Sequence, residues 1–327
     1  MRGCTSTLLL VALILSARDS RAAPTLARFI EQERQSARAG ELLPRSRSFY
    51  WHHRDHPRGA VFFVHGFSAT TGQALAVAQR VYRAGFDVLV VRQAGHGEAT
   101  TDGWPDLRHT PKAHDYRRYP ERVREAFDLF EQRYQGSGVP LYGVGLSAGG
   151  LAVADLVASR PGAFREVQLD APFFEPAGAR SQLLSRAALC LDRLSFGAVG
   201  RWLDRVPLER QAACFARPGA EGRYSFANIL GLLKWSGDVR RKLGTARPRM
   251  PVTLVTTAID QQVSNRAALR ALRGPGTRHL ELTAEAQVPH DMWQGASDAL
   301  SRLLLGQLTR DPTSARRLKA KGLVVEE

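Results

Sequence analysis

Residues Val139-Pro-Leu-Tyr-Gly-Val-Gly-Leu-Ser-Ala-Gly-Gly-Leu151 decide how this chain is read. A short β-prone apolar run enters Gly145-Leu-Ser-Ala-Gly149, and a small-residue segment with Leu and Val at helical spacing leaves it toward Ser159. This is the G-x-S-x-G pattern in a setting of strand, sharp turn and helix. A backbone turned so tightly at Ser147 admits no bulky neighbours, and Gly145 and Gly149 leave the room. The hydroxyl of Ser147 is then expected at the carboxyl end of a sheet, beside the amino terminus of the next helix. Unpaired N–H groups there favour a developing negative charge. Ser147 is the candidate nucleophile, and the N–H of Ala148 a candidate donor to an oxyanion.

Toward the amino terminus, Ala60 to Val64 is a continuous apolar run, as expected of a strand covered on both faces, and it breaks at His65-Gly66. Helical periodicity follows from Thr71 to Ala84. In this setting the N–H of Phe67 would face a reacting carbonyl oxygen as the partner of Ala148. His65 precedes the serine and is read as shaping the turn, with a catalytic role as the alternative. Phe86 to Val91 is the next buried strand, running into Arg92-Gln-Ala-Gly-His-Gly97.

A strand ending in His65-Gly66, a second ending in Gly95-His-Gly97, and G-x-S-x-G at 145–149 together resemble α/β-hydrolases of the monoglyceride lipase/lysophospholipase group, which includes serine aminopeptidases of the S33 type. The resemblance spans about Ala60 to Pro172 and resumes from Pro251. It implies an α/β-hydrolase fold, a mostly parallel central sheet with helices on both faces and a helical cap insertion. By the same likeness His96 is structural. The alternation of strand and helix patterns argues independently for a mostly parallel sheet.

Beyond the serine, Phe164 to Asp170 reads as a strand, and Met250 to Thr257 as the next. Between them, residues 173–248 hold helical runs over Leu183–Leu194, Phe196–Phe215 and Phe226–Leu243, which we read as the cap. Its apolar side is expected to face inward, over an acyl chain or against its own helices. Asp260, just past a strand, matches the family's acid position, and Asp170 competes with it. Triad order in this fold is nucleophile, acid, histidine. Only His279 and His290 follow Asp260; His279 lies inside a strand pattern and His290 on the loop after it, so His290 is chosen. Asp291 adjoins His290 and is poorly placed to orient its neighbour's ring.

The resemblance therefore implies a serine hydrolase of carboxylic esters, acting on a monoacylglycerol, a lysophospholipid or a short-chain acyl ester. Alternatives are a peptidase or thioesterase on the same triad, or a non-catalytic binding protein on this scaffold. Serine at the elbow argues against haloalkane or epoxide chemistry, and the short His-Gly turn departs from the HGGG esterase type. No HExxH, Cys/His ligand spacing or phosphate loop is present, so neither metal nor cofactor is called for.

Composition sets the remaining bounds. The 327 residues are 44% hydrophobic, enough for one large domain, assigned to 23–327. The formal charge of +15 comes from 41 Arg and 5 Lys against 31 acids, but the arginines are scattered. That distribution points away from nucleic acid and toward weak association with an anionic membrane surface. Residues 1–22 read as a signal peptide, with Arg2, the apolar Leu8–Leu15 and Ser20-Arg-Ala22 before the cut, which implies a secreted or periplasmic protein; an uncleaved anchor is the alternative, since Arg18 and Arg21 lie close to the cut. In such a compartment Cys190 and Cys214 are expected to form a disulfide, two free thiols being the alternative. Thr25–Gly40 is expected to be a surface helix, and Glu98–Tyr119 a loop with Trp104 or His109 at a pocket rim or merely solvated. Arg310–Glu327 is expected to be a loosely ordered tail.

Overall fold

The computed structural model describes residues 24–98, 109–205, 224–311 and 313–326. The signal segment, Trp104 and Cys214 lie outside these residues.

Eight strands form one sheet: β1 (Phe49–Trp51), β2 (Ala60–Val64), β3 (Asp87–Val91), β4 (Leu141–Leu146), β5 (Glu166–Asp170), β6 (Val252–Thr257), β7 (Thr277–Leu282) and β8 (Val324–Glu326). Their order is β1-β3-β2-β4-β5-β6-β7-β8. The inner six are parallel, and β1 and β8 run antiparallel at the two edges. Every residue of β2, β3 and β6 is buried, because helices cover both faces of a parallel sheet.

One face is covered by α1 (Leu26–Arg38), with α2 (Leu75–Arg83) on the other face. Next in the chain come α3 (Glu121–Tyr134) and α4 (Ala148–Ser159), both on the α1 face. After β5 follow α5 (Ala179–Leu194), α6 (Ala198–Leu203) and α7 (Phe226–Thr245). The last elements are α8 (Asn265–Leu272), α9 (Met292–Gly295), α10 (Ser297–Leu308) and α11 (Thr313–Ala320). Helix α4 is buried from Ala148 to Ala158, and its one acid, Asp155, is matched by Arg124 and Lys242, each at 2.6 Å.

Several local expectations are revised. Helix α1 lends Leu26, Phe29 and Ile30 to the core, and its buried Glu33 accepts from Arg92 at 3.1 Å and Arg122 at 2.7 Å. The charged tail forms α11 and the edge strand β8, because Leu318 and Val324 find apolar neighbours under the sheet edge. Within the stretch read as a cap, α7 packs Leu232, Trp235, Val239 and Leu243 into the main core, with Trp235 stacked 5.4 Å from Tyr119. Helix α5 is the reverse of expectation: Leu183, Leu184, Leu191 and Leu194 face solvent, and its one buried side chain is Asp192. Cys190 is exposed and carries a free thiol.

Candidate active site

Strand β4 delivers the chain to Ser147 with φ 56° and ψ −117°, a left-handed conformation costing a non-glycine residue about 1–3 kcal/mol. Three main-chain hydrogen bonds hold it there. The Ser147 N–H donates to the Asp170 carbonyl at 2.9 Å, and its carbonyl accepts from Leu151 and Phe173, both at 3.0 Å. A Cβ on Gly145 would strike the Gly149 carbonyl, and one on Gly149 would strike that of Val64. Both glycines are therefore fixed by how closely the helix end approaches β2 and β4. Ser147 is buried, at the carboxyl edge of the parallel strands.

The turn after β2 lies against it: a methyl on Gly66 would sit 3.5 Å from Ser147 Cβ. The Gly66 N–H donates to Gln73 Oε1 at 2.8 Å, and the Gln93 amide donates to the His65 carbonyl at 2.5 Å. His65 Nε2 accepts from the Gln93 N–H at 3.2 Å, so its proton is on Nδ1, which donates to the Gly66 carbonyl at 2.8 Å. Burial pushes His65 down to about 4, against that carbonyl's pull, so the ring is neutral near pH 7. His96, 5.1 Å away, is held well below its ordinary value by burial and by His65. These rings shape the turn. Among the described residues the N–H groups of Phe67 and Ala148 make no hydrogen bond, while the Phe67 ring packs on His96 and Tyr224.

At the same edge, His290 Nδ1 and Asp260 Oδ2 are 2.8 Å apart. Asp260 Oδ1 also accepts from the N–H groups of Gln262 at 2.8 Å and Val263 at 3.0 Å. Burial alone would raise the carboxyl; the His290 ring and the two N–H groups bring it below the ordinary value instead. An ionised Asp260 requires the proton on Nδ1 and leaves the Nε2 lone pair free to accept one. The His290 loop is tied back by Thr257, whose hydroxyl donates to the Val288 carbonyl at 2.6 Å.

The competing residues have other partners. His279 is buried within β7, 2.8 Å from Thr256 Oγ1. Asp170 accepts from Trp293 Nε1 at 2.7 Å and from Gln168 Nε2 at 2.9 Å. Burial pushes its carboxyl up to about 7, the two donors only partly opposing this. Asp291 contributes no bond to the ring. His109 lies exposed, 3.4 Å from Glu98. Trp293 was not singled out from sequence; its only signal was a large aromatic three residues after His290. Among the described residues no group of three or more His, Cys, Asp or Glu could hold a metal ion.

The profile of the family described as serine aminopeptidase, S33, matches residues 55–295. No curated protein matches the chain. Among solved structures, it is similar to one from a study of LipS and LipT, two metagenome-derived lipolytic enzymes, at 18% identity and TM-score 0.59, covering 82% of this chain and 99% of that one. Paleococcus ferrophilus monoacylglycerol lipase follows at 17% and 0.54, covering 81% and 98%. A soluble variant of Saccharomyces cerevisiae monoglyceride lipase, solved with a substrate analog, stands at 13% and 0.57, covering 81% and 91%. These likenesses establish an α/β-hydrolase fold.

Proposed function

The chain belongs to the serine aminopeptidase S33 family of α/β-hydrolases, and we propose that it is an exported serine hydrolase that cleaves carboxylic esters through Ser147, His290 and Asp260. The observation that carries this reading is the 2.8 Å bond between His290 Nδ1 and a carboxylate held below its ordinary value, on the edge where Ser147 takes up an elbow conformation.

Ser147 Oγ attacks the ester carbonyl carbon while His290 Nε2 takes the hydroxyl proton. The carbonyl electron pair moves onto oxygen, where the N–H groups of Phe67 and Ala148 receive it, each such donor being worth about 3 kcal/mol. Collapse of the tetrahedral intermediate expels the alcohol, which leaves with the proton from His290. Water, deprotonated by the same nitrogen, then attacks the acyl-enzyme and releases the acid. Asp260 keeps the ring in the productive tautomer and balances its transient charge. No step uses a metal or a cofactor.

A monoacylglycerol, lysophospholipid or short-chain ester is the substrate class favoured by the likeness to lipolytic folds. The family's aminopeptidase description favours amide cleavage as the second reading, and the same triad would serve thioesters. The apolar segment Leu8–Leu15 and the small residues before Ala23 support export to a secreted or periplasmic location.

A fluorophosphonate probe is expected to label the native protein and not Ser147→Ala. A panel of p-nitrophenyl esters, monoglycerides, lysolipids and aminoacyl anilides then ranks the substrates. Anilide turnover without ester turnover transfers the assignment to a peptidase, and no labelling of folded protein assigns a binding role.

A further inference from the structure

Helix α5 is amphipathic in the inverted sense. Leu183 and Leu184, then Ala187, Leu191 and Leu194 at three- and four-residue spacing, fall on one face, and all five are exposed. Leu183 is 69% and Leu194 71% exposed. Inside, the helix is fastened by polar contacts: Asp192 accepts from the Gly200 N–H at 2.6 Å and pairs with Lys234.

The turn beyond extends this face. Phe196 has φ 52°, an uncommon conformation for a bulky residue, and is 93% exposed. The flanking backbone is fixed, with Ser195 N–H donating to Leu191 at 2.9 Å and Gly197 N–H to Asp192 at 2.7 Å. A rigid turn thus holds an aromatic ring out in water, with Trp202, 62% exposed, on α6 just after it.

Charge identifies what such a surface fits. Arg180, Arg186, Arg193 and Arg201 on these elements, and Arg205 just past α6, are exposed. Both acids of this stretch are engaged elsewhere: Asp192 with Lys234, and Asp204 with Lys112 at 2.7 Å. An apolar stripe with an aromatic wedge and arginines around it has the composition of a helix lying in the headgroup layer of an anionic bilayer. A second copy is disfavoured, because pairing this face with itself would set five arginines against five.

We propose that α5, the Phe196 turn and α6 form a docking face for an anionic lipid surface, seating Leu191, Leu194, Phe196 and Trp202 among the acyl chains and the arginines among the headgroups. This is independent of the ester chemistry and is tested without turnover.

The test is flotation of the full-length protein with vesicles of phosphatidylcholine alone or with 30% phosphatidylglycerol, beside the double variant Leu194→Ser/Phe196→Ser and the variant Arg193→Gln/Arg201→Gln. These positions are exposed, so folding is expected to be preserved and is checked by melting temperature. Parent and variants share the same amino terminus, so their difference reports on this face alone. Expected is at least about 10-fold tighter binding to the anionic vesicles, weakened by high salt and by either variant. Equal binding by parent and variants, equal binding to both vesicle types, or a parent that sediments as a dimer and a Leu194→Ser/Phe196→Ser variant that sediments as a monomer would each overturn the proposal.

Discussion

The indole N–H of Trp293 donates to the carboxyl of Asp170 across 2.7 Å, joining the helix that follows His290 to the strand beside Ser147. The main-chain carbonyl of Asp170 accepts the Ser147 N–H, so one residue touches the Ser147 turn with its backbone and the segment after His290 with its side chain. Trp293 is itself buried, edge-on to Phe63 at 5.8 Å. Asp170, a competitor for the triad acid on sequence grounds, thereby ties the Ser147 turn to the segment after His290.

Its burial has a pH signature. Folding raises the Asp170 carboxyl from 3.8 to about 7, so between those values the folded protein binds the extra proton and stability falls as pH rises. Asp170→Asn keeps an acceptor for Trp293 and offers a donor to Gln168 Oε1, which has no partner. Urea unfolding is expected to show the variant gaining relative to the parent from pH 5 to pH 8, by ~3 kcal/mol at most. Parallel pH dependences in the two proteins would reject this. Trp293→Phe, which removes the bond and keeps the ring, is expected to lower kcat about 10-fold with little change in KM.

Ser147→Gly separates strain from chemistry. The left-handed backbone penalises any side chain at 147, so the variant is expected to be more stable by about 1 kcal/mol while losing probe labelling and turnover. Calorimetry showing a lower melting temperature would mean that the hydroxyl contributes more to the fold than the turn costs.

For Asp260→Asn, we expect a fall in kcat of about 10⁴-fold with KM little altered, because an amide at Oδ2 no longer enforces the proton on Nδ1 of His290. Pre-steady-state acylation measured with a p-nitrophenyl ester reads this directly. A change of less than ~10-fold would return the acid's role to another carboxylate.

His65 should dominate part of the acid limb. Its ring is pushed down to about 4 in the folded protein, below its ordinary 6.5, so the unfolded chain takes up the extra proton in that window. The associated stability is complete above 6.5 and is lost as pH falls toward 4. His65→Gln is expected to flatten the melting-temperature profile between pH 6.5 and 4, measured by scanning fluorimetry. An unchanged slope would assign that limb to other groups.

The sequence by itself determined what depends on near neighbours. The continuous apolar run at 60–64 and the β-prone stretches at 87–91 and 252–257 read as buried strands from their own residues, and the glycines flanking Ser147 as a turn too tight for side chains. That Asp260 and His290 could meet was legible too, because each follows a strand ending at the same edge. Tertiary structure alone decided the rest. That Asp170 serves Trp293 depends on residues 123 positions apart meeting. The edge strand β8 exists because two apolar side chains find cover, and its three residues carry too little pattern to announce it. The leucine stripe of α5 was visible in the sequence, but which way it faces was not. Periodicity specifies that a helix has an apolar side, while Asp192, anchored to Gly200 and Lys234, turns that side to the solvent.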